Sequence, residues 1–417
     1  MDEKAFRYVN DELMGEDVPL ARVAAAVGTP VYVYSRAVLT GRAAAFVDAA
    51  RLVAGRGGQG YLVCFAVKAN GNPALLRLLG EQGMGADVTS GGELFLARHA
   101  GISPTHILFS GVGKSHADIE QALDAGIRAL HIESVPELAR IAGIAAARQI
   151  VAPIAVRLNP DVTGDTHPAI STGGRWHKFG VSADTARRLL WQAQADPWLA
   201  PVGLAVHIGS QIRELEPFRQ AVAVLLREAE GLAAAGCRLR YLDVGGGLGV
   251  DEGARMAPRP ADWVAAVGAP VVAAGYELVL EPGRSVVGDA GILLTRVEYV
   301  KEEGGRRFVV VDAGMNDFIR PTLYAARHPI WPIRRRAGES HPVDIVGPVC
   351  ETGDAFAHDY ALPPVAAGDL LAVQQAGAYG FAMSSNYNGR LRAAEVLVDA
   401  GTFHLIRPRQ TVTDLLG

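Results

Sequence analysis

Over the first two thirds of the chain, short apolar runs alternate with longer stretches rich in Ala, Leu and Arg. The runs are YLVCFAV (61–67), GADV (85–88), HILFS (106–110), RALHI (128–132), PIAVRL (153–158), GLAVHI (203–208), YLDV (241–244) and YELVLE (276–281). Each is brief and largely without a polar face, which is the pattern of strands buried on both sides. Between them lie PALLRLLGEQ (73–82), SGGELFLARHA (90–100), VPELARIAGIAAAR (135–148), DTARRLLWQAQ (184–194), PFRQAVAVLLREAEGLAAAG (217–236) and ADWVAAVGAP (261–270), each long enough for a helix. The alternation predicts an α/β fold, a parallel (β/α)8 TIM-like barrel.

The rhythm changes near residue 286. LLTRVEYV (293–300), RFVVVDAG (307–314), HPVDIVG (341–347), DLLAVQQ (369–375) and EVLVDAGTFHLI (395–406) follow one another without comparable helices. They predict a C-terminal antiparallel β domain. The barrel is therefore expected over 37–286. The β domain is expected from 287–417 together with a β-rich 1–36 that ends in PVYVYS (30–35).

Composition narrows the function classes. At 417 residues with 49% hydrophobic and 20% charged positions, the chain has the makeup of two or three folded domains. Its 40 Lys and Arg against 44 Asp and Glu leave no basic surplus for a nucleic-acid partner. Cys64, Cys237 and Cys350 form no CxxC, so neither a disulfide framework nor a zinc cluster is expected, and no other metal. The acidic MDEKAFRYVNDEL start and the lack of a long uncharged apolar run point away from a signal peptide or membrane span, toward a cytoplasmic protein.

Polar residues gather where the barrel strands end, the face on which barrels carry chemistry. The candidates are Lys68, Asp87, Arg157, His207, Gly245-Gly246-Gly247 and Glu281 followed by Pro282, Gly283 and Arg284. Lys68, after an apolar wall, is placed to form a Schiff base. The triple glycine offers backbone N–H groups to a phosphate, but Val250 stands at the last glycine of the dinucleotide fingerprint. Gly113-Lys114-Ser115 looks like the tail of a P-loop, yet Leu108 replaces its first glycine, so ATP binding is rejected. A buried Glu281 would keep a pyridine nitrogen protonated and make that ring an electron sink, with His207 stacked on it.

In that order these residues resemble the alanine-racemase-like, fold-type III enzymes that use pyridoxal 5'-phosphate. Supporting stretches include GTPVYVYS (28–35), CFAVKAN (64–70), ADVTSGGEL (86–94), THPAISTG (166–173), HKFG (177–180), HIGSQ (207–211), DVGGGLG (243–249), EPGR (281–284), DFIRPTLY (317–324), GPVCETGD (347–354) and GAYGFAMSSNYN (377–388). The resemblance implies that Lys68 carries the cofactor, His207 stacks on it and Glu281 meets its ring nitrogen. It places Ser210, Gly245, Gly246, Gly247, Gly283 and Arg284 around the phosphate and Tyr379 against cofactor and substrate. Arg284, Arg320 and Tyr324 are implied to hold a distal carboxylate, Glu351 to face a distal ammonium and Cys350 to protonate the carbanion.

The Cys-Glu-Thr-Gly-Asp segment resembles the diaminopimelate branch more than the ornithine branch. That branch implies decarboxylation of meso-2,6-diaminopimelate to L-lysine and CO2, and a homodimer whose active sites borrow residues from the partner's β domain. An ornithine- or arginine-type decarboxylase and a catalytically silent regulator are the alternatives. Read without the resemblance, Arg320 and Tyr324 fit a surface pair and Cys350 a small buried hydrophobe.

Overall fold

The computed structural model describes residues 6–417 apart from Thr166, Ser171, Arg175, Trp176 and Ala254. Thr166 and Ser171 of the THPAISTG motif thus lie outside the described residues. The chain divides into two compact units, one of 42–285 and one of 1–41 with 286–417.

In the first unit, eight parallel strands close into a barrel. They are Tyr61–Ala66, Gly85–Val88, Ile107–Phe109, Ala129–Ile132, Ala152–Arg157, Leu199–Ala205, Tyr241–Asp243 and Glu277–Leu280. The last pairs with the first, Leu278 opposite Tyr61 and Leu280 opposite Val63. Leu62, Cys64, Leu108, Ala129, Ala155, Tyr241 and Val279 form a buried layer inside. Cys64 and Cys237 are both buried.

Helices cover the barrel. Several begin on a serine that ends the preceding loop: Ser90, Ser115, Ser134 and Ser182 each accept the backbone N–H three residues on. Such caps satisfy donors that a helix cannot satisfy itself. Trp263 of the helix Pro260–Ala273 is wedged edge-on against Phe46 and Phe218. That helix runs through Pro270, three residues past the expected stop. The helices Arg36–Gly57 and His116–Ala125 have no counterpart among the stretches singled out from the sequence.

The sixth strand differs from the expected 203–208. It starts at Leu199, is interrupted by a register shift between Pro201 and Gly203, and makes its last pair at Ala205 with Arg157. His207 therefore lies in the loop beyond the strand.

The second unit holds a nine-stranded sheet. The N-terminal strand Val31–Ser35 is inserted in it, antiparallel to Gly291–Glu303 and parallel to Ala394–Asp399. Arg306–Val311 and His341–Val346 also run parallel. The β unit is thus mixed, where wholly antiparallel pairing was expected. The EVLVDAGTFHLI run is a hairpin of Ala394–Asp399 and Thr402–Arg407. The first 36 residues carry a helix, Leu20–Val27, among their short strands. Leu20 and Val23 of that helix join Val31, Val33, Ile292, Leu294, Val396 and Val398 in one apolar core.

Candidate active site

The loops after barrel strands one, six, seven and eight bring most of the barrel's expected site residues together. Lys68 sits in a one-turn helix, Val67–Ala69, directly after the first strand. Its Nζ lies 3.3 Å from Oδ2 of Asp87, which points from the second strand and is fully buried. Asp87 Oδ1 is buried and accepts no hydrogen bond among the described residues.

Glu281 follows the eighth strand at once and is buried beside Asp243, the last residue of the seventh. Loss of hydration, and then the facing Asp243, push the Glu281 carboxyl well above its usual range. Burial also raises Asp243, to about 7, against the pull of the Gly245 N–H that its Oδ1 accepts at 2.8 Å. The pair is walled by His131, whose Nδ1 is 3.8 Å from Glu281 and whose Nε2 is 3.9 Å from Asp243. Burial, then the nearby Lys114 ammonium, lower this imidazole to about 3, so it is neutral.

His207 is also neutral, driven well below its ordinary value by burial and then by Lys68 and Arg157. Its Nδ1 accepts the Gly209 N–H at 3.2 Å, which places the ring proton on Nε2. The Thr172 hydroxyl donates to the His207 carbonyl at 2.8 Å and steadies the same turn. Arg157 stacks over Phe179 and reaches Glu133 at 3.3 Å. Glu133 also accepts the N–H groups of Gly111 and Gly180.

The triple glycine binds three loops into one. Gly245 and Gly247 adopt positive φ of 71° and 101°. A Cβ at Gly245, Gly246 or Gly247 would strike the carbonyl oxygen of Val206, Glu281 or Gly209 respectively. Only glycine allows this approach. Ile212 and Gly247–Gly249 then exchange backbone hydrogen bonds at 3.1 and 2.9 Å. Arg284 turns its Nε and Nη2 onto the Ser210 hydroxyl at 3.3 and 3.1 Å, joining two residues far apart in sequence.

Lys114 of the P-loop-like triplet is fully buried. Its three N–H donors go to the carbonyls of Gly111 and His131 and to Glu137 Oε1, at 2.7, 2.6 and 2.7 Å. Ser115 caps a helix in a reciprocal box with Asp118. Both residues are thereby taken up in the fold.

The remaining expected residues belong to the β unit. Arg320 and Tyr324 open and close a one-turn helix, the guanidinium 5.7 Å from the phenol ring centre. The Thr322 hydroxyl between them donates to Gly353 O at 2.8 Å, tying that helix to the Cys350–Asp354 loop. Asp354 shapes the loop by accepting the N–H groups of Val349 and Met315 at 2.7 and 2.6 Å. Cys350 is exposed, and its N–H donates to the Asn388 side chain at 2.9 Å. The Glu351 carboxylate accepts from the Tyr387 hydroxyl and raises that phenol's pKa. Tyr379 is held at φ 55° in the turn after Ala378. His131, Glu133, Asp243 and Asn388 are contributors that the sequence reading did not name.

These residues suit a phosphorylated pyridine aldehyde. The barrel supplies an amine for the carbonyl carbon and an acid pair matched to a basic ring nitrogen. Asp243 Oδ2 is buried beside Glu281 and meets no N–H donor among the described residues, which leaves an acceptor facing that place. A lysine at the carboxyl end of a parallel barrel, above buried acids and beside a glycine turn, defines the class of pyridoxal phosphate enzymes built on this barrel.

Comparison with known proteins narrows the class. The family described as "Pyridoxal-dependent decarboxylase, pyridoxal binding domain" matches residues 46–288. A diaminopimelate decarboxylase of Pseudomonas aeruginosa is 46% identical over 98% of this chain and 97% of its own. The crystal structure of the diaminopimelate decarboxylase of Helicobacter pylori complexed with L-lysine is 40% identical, with TM-score 0.90 over 95% of this chain and 98% of that one. The M. jannaschii enzyme, also in complex with L-lysine, is 34% identical with TM-score 0.94 over 99% and 96%. The chain belongs to the pyridoxal-dependent decarboxylases, in the family of the diaminopimelate decarboxylases.

Proposed function

We propose that this chain removes CO2 from the D-configured centre of meso-2,6-diaminopimelate to give L-lysine, using pyridoxal 5'-phosphate carried on Lys68. The observation that carries the reading is the gathering of Lys68, Asp87 and the Asp243–Glu281 acids at the barrel's carboxyl end, in a chain 46% identical to a diaminopimelate decarboxylase.

The cofactor, when bound, supplies a sink for the electron pair left on Cα as CO2 departs. Lys68 would hold it and yield its place to the substrate's amine, with Asp87 orienting the lysine through their ion pair. Glu281 would keep the ring nitrogen protonated. His207 offers an uncharged ring face, because burial, and then Lys68 and Arg157, disfavour a cationic imidazole. Ser210, Gly245, Gly246, Gly247, Gly283 and Arg284 receive the phosphate, and Pro282 lies against the cofactor. In the β unit, Arg320 and Tyr324 take the distal carboxylate together with Arg284, and Glu351 takes the distal ammonium. Cys350 returns the proton to Cα, and Tyr379 touches cofactor and substrate.

The same reading makes the protein a cytoplasmic homodimer in which Cys350 and Glu351 of one subunit serve the other's barrel. The unpaired Cys64, Cys237 and Cys350 support a reducing compartment, and no helix among the described residues is long and apolar enough to cross a membrane.

The test offers meso-diaminopimelate, ornithine and arginine in parallel to the purified protein with added pyridoxal phosphate. Lysine and CO2 from diaminopimelate alone are expected. Turnover of ornithine or arginine instead would overturn the substrate assignment, and silence on all three despite bound cofactor would overturn the enzyme. Arg320→Ala, which removes a charge-assisted contact, should lower kcat/KM for diaminopimelate about 10- to 100-fold.

A further inference from the structure

Asp243 and His131 are given no step of their own in the reaction above, yet both converge on Glu281. One oxygen or ring nitrogen from each of the three lies within 4.8 Å of the others, and all are buried. Asp243 Oδ1 is committed to the Gly245 N–H. Its other oxygen meets no N–H donor among the described residues, and a proton shared with Glu281 would satisfy it.

We propose that Asp243 is a positioning residue that stores one proton with Glu281 in the cofactor-free barrel and passes it to the ring nitrogen as pyridoxal phosphate seats. This rests on the reading that Glu281 faces that nitrogen. In the transfer one carboxyl O–H bond breaks and one N–H bond forms. The electron pair of the O–H bond stays on the carboxylate, the acid pair gains one negative charge and the ring one positive. The solvent supplies nothing.

The surroundings confine the proton to the acid pair. Cys64, Lys68, Asp87, His131, Arg157 and Tyr241 face it. His131 is too weak a base to take the proton, with a value near 3. Burial holds the Cys64 thiol and the Tyr241 phenol well above their ordinary values, so both remain protonated. Asp87 favours a protonated pair, while Lys68 pulls Glu281 and Arg157 pulls Asp243 the other way. Burial outweighs these charges on both acids.

Two measurements test the transfer. Infrared difference spectra of the wild-type protein on adding pyridoxal phosphate should lose a protonated-carboxyl band, recognised by its shift in heavy water. An unchanged carboxyl region would overturn the proposal. In the cofactor-free Asp243→Asn variant the same carboxyl band should disappear at a lower pH than in wild type, because the second cause that raises Glu281, the facing Asp243, is gone while burial remains. Asparagine keeps an acceptor for the Gly245 N–H, so a role confined to holding that loop predicts an unchanged midpoint, and an unchanged midpoint would overturn the assignment. Absence of the visible absorbance of bound cofactor in the wild type would instead overturn the underlying reading of the site.

Discussion

Lys68 and Lys114 stand in the same barrel unit, each beside a carboxylate, and they have opposite characters. Lys114 is sealed off, with three short hydrogen bonds using every N–H it owns. Lys68 keeps a third of its side chain exposed at the end of a strand, and its contact with Asp87 is the looser 3.3 Å. A saturated ammonium is a structural tie. An ammonium left partly accessible over a buried acid is a reagent. Residue type and a nearby acid therefore do not distinguish the two; exposure does.

The sharpest way to break this contrast is Lys68→Ala. It should abolish both decarboxylation and the visible absorbance of lysine-linked cofactor. An active, absorbing variant would end the distinction. Lys114→Met should do the reverse. Leaving Glu137 as an unpaired buried charge costs about 3–5 kcal/mol, seen as a lower denaturation midpoint, and the folded fraction should still take up cofactor.

The third prediction concerns pH. His131 lies near 3 in the folded protein against an ordinary 6.5, with burial the main cause and Lys114 the second. Below 6.5 the unfolded chain gains a proton that the folded one refuses. The stability that His131 contributes is thus complete above that value and is lost as pH falls toward 3. The loss is steepest at about 1.4 kcal/mol per pH unit. Replacing it in His131→Gln should flatten the stability profile of the acid limb, as followed by urea midpoints. The smallest effect expected is for Ser115→Ala, which removes one helix cap and should cost about 1 kcal/mol with kcat unchanged. A loss of cofactor affinity there would return the triplet to phosphate binding.

Much of the barrel was legible because a buried parallel strand has one pattern and the loops follow it. Lys68, Asp87, the glycine turn and Glu281 stood out as polar residues at the ends of apolar runs. What was hidden lay within those runs. His131 in RALHI and Asp243 in YLDV read as parts of strands, and only closure of the barrel brings them to Glu281. The helix Arg36–Gly57 was missed because its apolar and polar residues do not separate into a clear stripe along the sequence, although its buried positions do. The parallel pairing of Val31–Ser35 with Ala394–Asp399 joins segments more than 350 residues apart, which no local periodicity encodes. In the β unit the Cys350 segment was visible, but its tether to Asn388 depends on a turn with Asn388 at φ 55°.

The glycine turn sets a limit on how this scaffold can be diversified. A single added methyl at Gly246 would displace the carbonyl of Glu281, and one at Gly245 or Gly247 would displace the loop that carries His207. Library design aimed at new substrates therefore has nothing to gain from randomising 245–247, where almost every clone would fail for the same mechanical reason. Variation is better spent on Arg320, Tyr324 and Glu351, which are proposed above to meet the substrate.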